Sequence, residues 1–146
     1  MTELHLVVGV AVLGLNLFVG LWGAAAWLAR RTPVSFWYVL RGAQGTVVVQ
    51  VLLGAILLIS GKEAKDAIHY MYGIGPLVVN LFAEGMRTGA AQREVPENVE
   101  FDTLPADEQR TIALRIVRRE MGIMSVAALL VATFALRAAQ VSGKLF

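Results

Sequence analysis

The sequence predicts an all-α integral membrane four-helix bundle, and three observations carry that prediction. Four apolar stretches, roughly residues 4–28, 34–60, 64–83 and 121–141, each hold the ~20 residues that cross ~30 Å of hydrocarbon as a helix. Hydrophobic residues make up 57% of the chain and charged residues 16%, and the mean hydropathy is +0.64, beyond the proportions of a soluble domain. The charge falls almost entirely between the stretches. The remainder is too short for a separate globular domain, so the chain reads as one four-span unit.

The first stretch follows Glu3 and lacks a basic leading region, so it reads as a retained span rather than a cleaved leader. It is rich in small residues, with Gly9, Gly14, Gly20, Gly23 and Ala24. The Gly20–Ala24 pair allows close backbone approach, which matters where lipid supplies no hydrophobic drive between helices. The first connection, about Ala29 to Pro33, and the second, about Gly61 to Glu63, are short enough for antiparallel neighbours, so helices 1, 2 and 3 read as a compact hairpin series. Helix 3 contains Pro76 after Gly73 and Gly75, a pattern that predicts a bend near mid-membrane.

The third connection, about residues 85–120, is acidic in its middle, and Pro96 and Pro105 exclude one continuous helix through it. Asp102 or Thr103 reads as the next helix start. From there Ile112, Ala113, Ile116 and Val117 alternate with Arg110, Arg115, Arg118 and Arg119, predicting an amphipathic extension of helix 4 ahead of the span.

Cations set the orientation. Arg30, Arg31, Arg41, Arg87, Arg93, Arg110, Arg115, Arg118 and Arg119 fall on the side of the first and third connections, against Lys62, Lys65, Arg137 and Lys144 on the other. The positive-inside rule then places the third connection in the cytoplasm and both termini outside, in a bacterial inner (plasma) membrane. Trp22, Trp27, Trp37, Tyr38 and Tyr70 lie near the expected interfaces as an aromatic belt. The partners expected are the bilayer and a larger membrane complex or a second copy. The net charge of +2 is a topology signal and points to no nucleic acid.

Polar residues within the spans mark the candidate site, because each is costly in hydrocarbon. His69, Tyr72, Gly73, Pro76 and Asn80 share one face of helix 3, while Thr133, Arg137 and Gln140 share one of helix 4. Counting from the helix ends puts His69, Tyr72, Arg137 and Gln140 in the outer half of the bilayer, with Gln50 near the middle and His5 at the outer surface. His69, Tyr72, Arg137, Gln140 and Gln50 are therefore the candidate ligand-binding residues, with His69 the candidate metal ligand. Each has a second reading: His69, Gln50 and Asn16 as interhelical hydrogen-bond glue, and Arg137 as a cation reaching the outer headgroups.

Enzyme motifs are missing. There is no HExxH pair, Walker loop, serine elbow or intramembrane carboxylate pair, and no cysteine for a disulfide, a thiolate site or a nucleophile.

The strings Gln50-Val51-Leu52-Leu53-Gly54, His69-Tyr70-Met71-Tyr72-Gly73 and Leu136-Arg137-Ala138 resemble a group of small bacterial four-span membrane proteins. The resemblance covers helices 2 to 4, implies the four-span bundle, directs attention to His69 and brings no activity with it.

Three function classes follow. The first is a non-catalytic accessory subunit or small-ligand-binding bundle. The second is a b-type haem electron carrier with His69 as axial ligand and Arg137 facing a propionate. Two axial histidines from one chain are disfavoured there by the different depths expected for His5 and His69. The third is a small-solute transporter or channel formed by an oligomer.

Overall fold

The computed structural model is all-helical: α1 (Thr2–Leu28), α2 (Val34–Ile59), α3 (Ile68–Glu94) and α4 (Ala106–Val141), with a turn of 3-10 helix at Phe101–Thr103. The structure describes residues 2–62, 64, 66–95 and 100–142, so the expectations for Glu63, Lys65, Pro96, Glu97 and Lys144 lie outside the described residues. Helices α1, α2 and α4 are long and apolar enough to cross a membrane. Helix α3 has the length, but His69, Tyr70, Tyr72, Asn80 and Glu84 dilute its apolar stretch, and it is not one of those three.

The first two turns end their helices in the same way. Arg31 donates its N–H to the Ala26 carbonyl and Lys62 to the Leu57 carbonyl, each closing a helix C-terminus around a left-handed residue. That residue is Gly61 (φ 74°) after α2 and Arg30 (φ 57°) after α1, where no glycine is available. Pro33, extended at ψ 129°, then starts α2.

Three boundaries differ from those read in the sequence. Helix α3 begins at Ile68 rather than near Ala64, because Asp66 accepts the Ile68 N–H on its carboxylate and the His69 N–H on its carbonyl, capping the helix there. It continues eleven residues beyond Ala83 to Glu94, with no proline or glycine pair to stop it, so much of the expected third connection is helix. Helix α4 starts at Ala106 after Pro105, since Asp102 and Thr103 are taken up by the 3-10 turn. Pro76 sits within an unbroken α3 and is buried.

Packing differs too. Helix α4 lies against both α1 and α3, α1 packs on α2 as the hairpin series predicts, and the α2–α3 contact is slight, so α3 is held mainly by α4 rather than by α2. Small residues explain it. A Cβ on Gly20 would come within 2.7 Å of Leu129 on α4, and one on Gly75 within 2.5 Å of Phe134 on α4, so both backbones meet α4 closely. The core that results is built from Val19, Phe36, Leu40, Met121, Met124 and Val131. Large apolar side chains such as Phe18, Leu21, Leu52, Leu81, Phe82 and Val126 point outward. The exterior of the three long apolar helices is thus itself apolar, as a helix that crosses a membrane requires.

Candidate functional site

Residues near the ends of α1, α3 and α4 come together with Gln50, which lies nine residues before the end of α2. His5 lies one turn into α1, and His69 lies in the first turn of α3. Their ring centroids stand 6.3 Å apart with planes inclined at 60°. The Gln50 amide on α2 donates from Nε2 to His5 Nε2 at 3.2 Å, which assigns the acceptor lone pair to that ring nitrogen. The Ala138 carbonyl on α4 is 3.2 Å from His69 Nδ1 and can only accept, so Nδ1 carries the proton and the neutral tautomer has its lone pair on Nε2. Gln50 Oε1 is buried with no hydrogen-bond partner.

This overturns the expected separation of the histidines. A helix 3 that begins near Ala64 puts His69 more than a turn in from its end. With the start at Ile68, His69 and His5 both lie near the N-terminal ends of their helices and meet. Glycines permit the approach of α1 to α2: a Cβ on Gly9 would stand 3.0 Å from Gln50 Nε2, and one on Gly54 would stand 3.4 Å from His5.

The other candidates are arranged differently. Tyr72 is half-buried and sits against Phe134 with ring centroids 6.1 Å apart. Arg137 and Gln140 are both exposed and bond to each other at 2.9 Å, forming a pair on the outside of α4. Of the five candidate residues, Gln50 and His69 are joined, and His5 is what joins them. The missed signal was Asp66, which starts α3 at Ile68 and so brings His69 to the same end as His5. Among the described residues no three His, Asp or Glu side chains are placed to hold a metal ion. Asn16, read as interhelical glue, instead donates to the Val12 carbonyl of its own helix, and its Oδ1 is buried without a partner.

At the opposite end of the bundle a charged layer ties α2, α3 and α4. Glu84 accepts hydrogen bonds from Arg41, from Gln44 at 2.9 Å and from Arg87 at 2.8 Å, while Arg87 also approaches Glu120 at 3.8 Å. The Arg87 guanidinium lies 6.0 Å from the Trp37 ring centre. Trp37 in turn meets Phe36 edge-on, and Phe36 meets Trp22 likewise. Beyond this layer α3 and α4 continue side by side, held by Glu94 between Arg119 at 2.8 Å and Arg115 at 3.9 Å.

No family model matches the chain, and neither the curated proteins nor the solved structures contain a significant match.

Proposed function

We propose that this chain is a non-catalytic integral membrane protein of four spans, an accessory or small-ligand-binding bundle whose binding site is the cluster of His5, Gln50 and His69. The single observation behind this reading is the buried, unpartnered Gln50 Oε1 beside two imidazoles. A buried carbonyl oxygen without a donor costs about 1–3 kcal/mol, so a cluster that retains one is suited to a ligand that donates to it. Crossing by α3 is part of the proposal. Its first turn lies beside the outer ends of α1 and α4, and its charged layer lies beside the inner ends, so it covers the same depth as the three apolar helices. The cation distribution supports a cytoplasmic α3–α4 extension and external termini.

A b-type haem is the second reading, and one geometric observation favours it. His5 and His69, with ring centres 6.3 Å apart on two different helices, would hold the group once His5 exchanged its bond to Gln50, and the haem would supply one-electron transfer. A histidine whose Nδ1–H is held by a backbone carbonyl, as His69 is by Ala138, is also in the usual posture of a metal ligand. Arg137, bonded to Gln140 on the exterior, takes no part in this version.

Absorption spectra of the full chain purified in mild detergent, oxidised against reduced, separate the readings. A Soret band at near-stoichiometric level that disappears in both His5→Ala and His69→Ala establishes the haem reading. A colourless protein that carries another small ligand lost in Gln50→Leu establishes the first. A protein with neither overturns both and leaves the cluster as a fastening between helices.

A further inference from the structure

A groove of about 810 Å³ runs along the contact of α3 and α4, with Trp27 of α1 in its wall. Its apolar part is formed by Val78, Phe82 and Met86 of α3 and by Val126 and Leu130 of α4. All five are exposed, so the groove opens sideways to whatever surrounds the bundle. At its far end it is lined by Arg115, Arg118 and Arg119, with Glu94 the one carboxylate among them.

Charge and length together define what fits. Glu94 pairs with Arg119 and Arg115, which leaves Arg118 without a carboxylate partner among the described residues. The Arg118 Nε is moreover buried and has no hydrogen-bond acceptor. Three guanidinium groups against one carboxylate leave two uncompensated positive charges at one end of an apolar slot. From Arg115 to Leu130 the groove follows fifteen residues of α4, about 22 Å at the helical rise. Half of a bilayer, hydrocarbon and headgroup together, is about 20–22 Å deep. A cationic end and an apolar body of that combined length match one phospholipid lying along the protein within a single leaflet.

We infer that the α3–α4 groove binds an anionic phospholipid from the leaflet on the side of the α3–α4 extension, its phosphate on Arg118 and an acyl chain along Val126 and Phe82. This site is independent of the His5–Gln50–His69 reading, and either can fail without the other.

The test is native mass spectrometry of the full chain in neutral detergent, titrated with phosphatidylglycerol and with phosphatidylcholine of the same acyl chains. Each arginine near an anionic surface contributes about fivefold, so two uncompensated charges predict about 25-fold preference for phosphatidylglycerol. Arg118→Gln should lower phosphatidylglycerol affinity about fivefold and phosphatidylcholine affinity by less, because the choline cation already offsets the phosphate that the two lipids share. Arg110→Gln, an exposed change outside the groove, should leave both unchanged. Val126→Trp fills the slot from an exposed position and should weaken both lipids, which keeps the inference testable if Arg118→Gln fails to fold. Inorganic phosphate should not compete, because it lacks the acyl chain. Equal affinity for the two lipids, equal losses from Arg110→Gln and Arg118→Gln, displacement by phosphate, or a lipid-free dimer would each overturn the inference.

Discussion

Substituting alanine at Gly20 and at Gly14 applies one chemical change to two positions of α1 that differ only in what lies opposite. Gly20 is buried, and a Cβ there would meet Leu129 Cγ and Cδ2 at 2.7 Å and the Leu129 backbone nitrogen at 3.1 Å. The leucine side chain can turn aside. The backbone nitrogen moves only if α4 retreats from α1. Gly14 is exposed, with nothing within 4 Å of its Cβ position. Both variants gain the same helix preference of alanine over glycine, about 0.5–1 kcal/mol, and Gly20→Ala alone incurs overpacking of about 1–3 kcal/mol. The difference between the two, about 1–3 kcal/mol, is therefore the overpacking itself. Reversible unfolding in mixed micelles, followed by helical circular dichroism, measures that difference directly. Gly14→Ala should be neutral or slightly stabilised, with Gly20→Ala clearly destabilised. Equal stabilities, or the reverse order, would refute the claim that α1 and α4 meet through their backbones at this level.

Further outcomes follow from single residues. Asn16→Leu should fall within about 1 kcal/mol of the parent or be more stable in the same unfolding measurement, because it removes a buried oxygen that has no partner and a bond confined to its own helix. Glu84→Gln should cost about 1–3 kcal/mol, since Arg41 and Arg87 lose a shared partly buried anion, whereas Arg41→Gln should cost about 1 kcal/mol or less because Arg41 is half-exposed. Cysteines at Glu108 and at Val141 should be labelled from opposite sides of intact cells, Val141 from outside. Labelling of Glu108 from outside would invert the proposed topology.

Helix number, the short first turn and the polar surface of α4's extension were legible in the sequence because each rests on local pattern: apolar run length, turn chemistry and charge alternation. The ends of α3 were not. Asp66 caps the helix through its own carboxylate, and the stretch from Glu84 to Glu94 is helical but no longer apolar, so reading hydrophobicity alone started α3 too early and ended it too soon. That shift of one turn at Ala64 misplaced His69 in depth and hid its meeting with His5. The central role of α4 was likewise out of reach, because Gly20 and Gly75 announce close packing without naming the helix that fills the gap. Gln50 and His69 were singled out as polar groups within apolar runs, and both lie against His5. Arg137 and Gln140 were too, but a 2.9 Å bond between them on the exterior satisfies both where they stand.

The claim that His5, Gln50 and His69 form a binding site is tested most directly by the intact mass of the full chain extracted gently from its own membranes. The account predicts a non-lipid adduct on the parent protein that is lost in both Gln50→Leu and His69→Ala and kept in Arg118→Gln. A parent mass equal to the bare chain with groove lipid alone, or an adduct retained in His69→Ala, would contradict it.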